Sequence, residues 1–132
     1  MSSEERRSTT KILLVEDDAV CAHLVTAVLR RRGYDVVSAS DGVQAMRVAR
    51  QERPDLIVLD LGAPGGDGLL TLTRLRHLSE TSRIPVVLST IRPAMAVEGE
   101  ARELGADEFL AKPIAPALLL DTVQRLTGGA AR

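Results

Sequence analysis

Five short, unbroken aliphatic runs recur along this chain: KILLV (11–15), DVVSA (35–39), DLIVLD (55–60), IPVVLS (84–89) and DEFLA (107–111). A continuous run, unlike one that alternates with polar residues, marks a strand covered on both faces. Such a sheet needs helices on each side, and the intervening segments carry helical spacing. Cys21, Leu24, Val25 and Val28 stand at i, i+3, i+4 and i+7, and the segment closes on Arg30, Arg31 and Arg32 before a capping Gly33. Asp41 with Gln44 reads as a capping box opening a second helix, whose inner face is Ala45, Met46 and Ala49 and whose end precedes Pro54. The corresponding inner faces are Leu69, Leu72 and Leu75 in the third helix, Ala94, Val97, Ala101 and Leu104 in the fourth, and Leu119, Val123 and Leu126 in the fifth. Strands alternating with helices of this length predict an α/β layer fold with a parallel five-stranded sheet and five helices.

At 132 residues the chain has room for one domain, expected over 11–127 between a polar tail at 1–10 and a short tail at 128–132. Its only aromatic residues are Tyr34 and Phe109, so the core must be aliphatic. With 17 Lys and Arg against 18 Asp and Glu, the net charge of −1 creates no field that would draw the molecule onto nucleic acid or an anionic membrane. The single cysteine, Cys21, excludes an intrachain disulfide and suits a core filler. No apolar run nears the ~20 residues of a membrane span and no signal peptide opens the chain, so a cytoplasmic location is expected.

In open parallel sheets ligands bind beyond the carboxyl ends of the strands. Those ends carry Glu16, Asp17 and Asp18 after the first strand, Asp60 at the third, Thr90 at the fourth and Lys112 at the fifth. Each alone is ordinary; Asp18, for example, suits the first turn of the next helix. If the first and third strands are neighbours, however, their terminal carboxylates lie close together. Two such charges ~5 Å apart repel by roughly 3 kcal/mol at an effective dielectric near 20. Either a carboxyl is protonated or a cation sits among them. Hard oxygen donors at a water-accessible edge suit Mg²⁺, which points to phosphate chemistry. Lys112, one of only two lysines, would add a compact ammonium there.

The motifs VEDD (15–18), DLGAPGGDG (60–68), PVVLST (85–90) and AKP (111–113) together resemble the receiver domain of two-component response regulators, the chemotaxis-regulator-like family, over about residues 11–127. The intervals agree: 43 residues from Asp17 to Asp60, 30 from Asp60 to Thr90 and 22 from Thr90 to Lys112. The resemblance implies a doubly wound, flavodoxin-like sheet of order 2-1-3-4-5. It implies that Asp60 takes a phosphoryl group from a kinase phosphohistidine. Asp17 and Asp60 would then hold Mg²⁺ directly, Glu16 through water, and the Gly62 carbonyl would complete the protein's share. Lys112 would pair with the phosphoryl group, the Thr90 hydroxyl would hydrogen-bond it, and Phe109 would swing inward as Thr90 moves. The Lys112–Pro113 bond would be cis.

The partners so implied are a sensor histidine kinase or phosphotransfer protein, and an output protein that reads the face made by the fourth helix, fifth strand and fifth helix. The leading expectation is a single-domain response regulator that catalyses only its own phosphorylation and dephosphorylation. The alternative is a receiver domain excised from a longer DNA-binding regulator or hybrid histidine kinase. An aspartyl phosphatase would call for a second acid where Gly62 stands, and no G-x-G-x-x-G follows the first strand to bind a dinucleotide. His23 and His77 read as surface residues, leaving the phosphohistidine to the partner.

Several residues depart from the family pattern. Ile91 follows Thr90 where the family usually has a small residue, and with Arg92 and Pro93 it is expected to narrow the approach to Asp60 and slow phosphate loss. Pro64 and the neighbouring glycines predict a tight loop beside the metal. Gly99 inside the fourth helix lowers its propensity by up to ~1 kcal/mol.

Overall fold

The computed structural model describes residues 9–62, 68–91 and 94–128, and in the helix 94–103 it describes side chains from Glu98 onward. The elements alternate as expected: β1 (Lys11–Val15), α1 (Ala19–Arg31), β2 (Asp35–Ala39), α2 (Gly42–Glu52), β3 (Leu56–Asp60), α3 (Gly68–His77), β4 (Val86–Thr90), α4 (Ala94–Glu103), β5 (Glu108–Ala111) and α5 (Pro116–Thr127). All strand pairs are parallel and the order is β2-β1-β3-β4-β5. No helix among the described residues is long and apolar enough to cross a membrane.

Four strand boundaries differ from expectation, each for a hydrogen-bonding reason. Asp55 lies outside β3 because its carboxylate, at 2.8 Å, accepts the Lys11 N–H instead of leaving it to the ladder. Pro85 has no N–H and offers β3 only its carbonyl, so β4 opens at Val86, whose N–H bonds the Asp107 carboxylate at 2.8 Å. Asp107, used in this way, stands before β5. At its other end β4 runs on through Thr90, whose carbonyl accepts from Lys112 N–H at 2.9 Å.

The helix starts follow the acids. Asp18 caps α1, accepting from the N–H groups of Val20 (2.9 Å) and Cys21 (3.1 Å). Asp41 accepts from Gln44 N–H at 2.8 Å, but the Gln44 side chain reaches back to Ser40 N–H at 3.1 Å, one residue earlier than a standard capping box. α1 ends on Arg32 as its cap, with Gly33 just beyond at φ +92°, the left-handed conformation that glycine adopts without steric cost.

Alternate strand residues feed two aliphatic layers. Leu13, Val15, Ile57, Leu59, Val86 and Leu88 pack with Ala45, Ala49, Leu72, Leu75 and Ala101 of α2, α3 and α4. Ile12, Leu14, Leu56, Val58, Val87 and Leu110 pack with Val25, Leu29, Leu119 and Val123 of α1 and α5. One inner-face expectation fails: Leu24 is 60% exposed and Leu29 takes its place. With 3.6 residues per turn, Leu24 stands about 100° round the helix from Val25, whereas Leu29 lies within about 40° of it. Ala94 and Val97 lie outside the described side chains.

Candidate functional site

Because every strand is parallel, all five carboxyl ends meet at one edge, and each following helix starts there. The register Val15↔Leu59 brings the exit of β1 beside that of β3. Oxygens of Glu16, Asp17 and Asp60 consequently lie within 4.8 Å of one another. They line a cleft of about 290 Å³ with Ser40, Gly62 and Thr71 on its walls.

The three acids are held differently. Glu16 is buried: its Oε1 accepts from Lys112 Nζ at 2.6 Å and its Oε2 from Asp18 N–H at 3.2 Å. Asp60 Oδ1 accepts from Gly62 N–H at 3.1 Å and lies 3.1 Å from Lys112 Nζ. Asp17 is exposed and gives the cleft its wet side. Lys112 arrives from the end of β5, anchored by its N–H to Thr90, and its bond to Pro113 is cis. Burial works to lower the Lys112 pKa, but the bonds to Glu16 and Asp60 outweigh it and hold the ammonium above the ordinary lysine value.

Thr90 closes β4 one residue beyond Ser89, the partner of Asp60, and is buried. Phe109 pairs with Leu88 and packs half-buried against the α2–α4 layer. Gly62 has φ +79°, so this turn favours glycine for its conformation, since a built Cβ would meet nothing within 4 Å. Gly68 is needed for space: a Cβ there would fall 2.7 Å from the Leu61 Cα, so its absence lets α3 start against the exit of β3.

The remaining candidates separate from the site. Asp18 serves as the α1 cap. His23 and His77 are exposed, as are Arg30, Arg31 and Arg32. Gly99 is exposed in α4 with open space around it. Ile91 is 75% exposed just past the end of β4. Arg92, Pro93, Pro64 and the glycines at 65 and 66 lie outside the described residues.

Sequence reasoning missed the surroundings of Cys21. The thiol packs half-buried against the α1–α5 layer, as a filler would, but it also adjoins Glu16; burial and that carboxylate push its pKa up to about 11. Ser40 and Thr71 were missed as cleft walls, because neither residue type stands out at a strand or helix end.

Three carboxylates thus face one ammonium, which pairs with two of them. The donor set is all hard oxygen, and the exposed Asp17 leaves room for coordinated water. These features fit a small divalent cation of the Mg²⁺ type.

A family model described as the response regulator receiver domain matches residues 12–124. Protein PilH of Pseudomonas aeruginosa is 32% identical over 119 residues, covering 90% of this chain and 98% of that protein. The DNA-binding response regulator MtrA of Mycobacterium tuberculosis is 38% identical over 114 residues, covering 86% of this chain but 49% of its own length. The crystal structure of the receiver domain of a Pseudomonas aeruginosa PAO1 sensor histidine kinase, with a magnesium ion coordinated in its active-site cleft, superposes with a TM-score of 0.82 at 33% identity, covering 91% of this chain and 98% of that one.

Proposed function

The chain belongs to the response regulator receiver domain family, and on that premise we propose that it is a phosphorylation switch whose acceptor is Asp60. The observation that carries this reading is the approach of Lys112 Nζ to within 3.1 Å of Asp60 Oδ1 beside a cluster of three carboxylates. A carboxylate at a wet edge, beside an ammonium and a cation site, is equipped to attack a phosphoryl group and to balance the charge that develops.

In the proposed reaction an Asp60 oxygen forms a bond to phosphorus as the bond to a partner's imidazole nitrogen breaks, and the released imidazole takes its proton from water. Asp17, Asp60 and the Gly62 carbonyl would hold Mg²⁺, with Glu16 acting through water. The ion, when bound, supplies positive charge to the phosphoryl oxygens. Gly62 N–H orients the Asp60 carboxylate by binding Oδ1. Lys112 stays protonated and pairs with the phosphoryl group, exchanging part of its contact with the acids. The Thr90 hydroxyl hydrogen-bonds the attached group, and Phe109 follows Thr90 inward. The face of α4, β5 and α5 then carries the signal to an output protein.

A protein donor is supported by the rim of the cleft. The exposed large apolar side chains among the described residues are Val20, Leu24, Val43, Leu70, Ile91 and Leu118. Each sits in the first two turns of a helix or just past a strand, at the end where the site opens. Apolar side chains exposed at that end suit contact with a protein partner that presents a phosphohistidine. We favour a single-domain regulator because PilH is matched over nearly its whole length. The match to half of MtrA supports the second reading, a receiver within a longer DNA-binding regulator.

The test is incubation with Mg²⁺ and the small donor acetyl phosphate, followed by intact mass. One added phosphoryl group, absent in Asp60→Asn and without Mg²⁺, is expected. Undiminished labelling of Asp60→Asn would overturn the reading.

A further inference from the structure

A run of ion pairs crosses the face of α4, β5 and α5. Arg102 Nε donates to Glu98 Oε2 at 3.0 Å, one turn back along α4. Arg102 Nη2 lies 3.5 Å from Glu108 Oε1 of β5, and Arg125 Nη2 of α5 donates to Glu108 Oε2 at 3.2 Å. The Arg102 guanidinium lies over the Phe109 ring, 5.7 Å from its centroid. That ring belongs to the only phenylalanine in the chain.

Exposed ion pairs taken singly contribute little, so the ladder by itself is a weak clasp. Its effect on Phe109 is more specific. Glu98 and Glu108 engage two nitrogens of the guanidinium, Nε and Nη2, which restrains it near the ring and removes part of the entropy cost of the cation–π contact. The ion pairs survive a rotation of Phe109, whereas the cation–π contact does not. Motion of the ring out from under the guanidinium therefore gives up that contact.

We propose that Arg102 is a positioning residue that latches the Phe109 ring in its present half-buried place and so raises the threshold for switching. The proposal rests on the reading that Phe109 moves when Asp60 is phosphorylated. Activation then has to break a contact between α4 and β5, which links occupancy of the site to the mutual fit of the two elements. Glu98 and Glu108 act through Arg102, and Arg102 touches no reacting atom.

The single phenylalanine makes a direct test possible. The full chain is labelled with 4-fluorophenylalanine, which places one ¹⁹F reporter at position 109 and nowhere else. Spectra are taken with Mg²⁺ alone and with Mg²⁺ plus phosphoramidate, for the natural sequence, Arg102→Gln and Arg102→Lys. In the natural sequence the signal moves on phosphorylation. In Arg102→Gln without donor it is already displaced toward the phosphorylated position, and phosphorylation is about two- to five-fold faster, the factor expected for an exposed cation–π contact. Arg102→Lys, which keeps the cation, stays near the natural signal and rate. If the Arg102→Gln signal coincides with that of the natural sequence while the latter still moves on phosphorylation, the latch is wrong and the switch reading stands. If the natural signal does not move on phosphorylation, the switch reading fails and the latch fails with it.

Discussion

Lys112 Nζ lies 2.6 Å from Glu16 Oε1, a contact between residues 96 apart in sequence that closes β5 onto β1 across the site. The Glu16 side chain is only 2% exposed and that of Lys112 13%, so each is the other's main compensation for lost hydration. Removing one member of a buried pair leaves the other charge stranded. Without Mg²⁺, Lys112→Met is expected to cost about 3 kcal/mol, the low end for breaking a buried pair because the cleft is open to water. Adding Glu16→Gln should recover much of that loss. Denaturant unfolding of the two single variants and the double variant checks this, and strict additivity would contradict it.

Asp60→Asn should act in the opposite direction. Oxygens of three carboxylates lie within 4.8 Å of one another, and a single ammonium pairs with two of the residues. Neutralising one acid relieves repulsion of roughly 1 kcal/mol or more at the effective dielectric of such a site. The variant is expected to melt at higher temperature than the natural sequence in metal-free buffer. An unchanged or lowered melting temperature would contradict a net repulsion at Asp60, showing that its pairing with Lys112 outweighs the crowding of the acids.

Asp17→Ala and Asp18→Ala should separate binding from folding. Asp17 offers an oxygen to the cleft, whereas Asp18 caps α1. Mg²⁺ at a hundred times its dissociation constant would stabilise the natural sequence by about 2.7 kcal/mol, and Asp17→Ala should lose most of that gain. Asp18→Ala should keep the gain while losing about 1 kcal/mol of stability with or without metal, as a lost cap does. Equal loss of the metal effect in both would show the pair to be misassigned.

Glu108 makes a pH-dependent contribution. Burial works to raise its pKa, but the Phe109 N–H, Arg125 and Arg102 together hold it below the ordinary value of 4.5. A carboxyl whose folded pKa lies below its unfolded one adds stability above the unfolded value and loses it as pH falls through the folded one. The melting-temperature gap between the natural sequence and Glu108→Gln should therefore be full at pH 7 and shrink as pH drops below about 4.5. A gap unchanged down to pH 3 would contradict the assigned shift.

The alternation of aliphatic runs with helical spacing was enough to read the five strands, the five helices and a sheet covered on both faces, because burial on two faces leaves an unbroken apolar signature. The edge carrying Glu16, Asp17, Asp60 and Lys112 was equally legible, since parallel strands send all their ends one way. What could not be read were contacts made across long sequence separations. Arg76 looks like an ordinary basic residue near the end of α3, yet it donates to the carbonyls of Ser82, Ile84 and Gly105 and to the Asp107 carboxylate. Gly105, at φ +105°, is a glycine partly because a Cβ would come within 2.8 Å of Arg76 Nε.

Phosphoryl acceptance by Asp60 leaves a covalent mark that borohydride trapping reads at residue level. The protein is phosphorylated with acetyl phosphate and Mg²⁺, then reduced, which converts an acyl-phosphate aspartate into homoserine, and the site is read by peptide mass spectrometry. Homoserine is expected at position 60 alone, with none when Mg²⁺ is withheld. Homoserine at Asp17 or another aspartate, with position 60 unmodified, would contradict it.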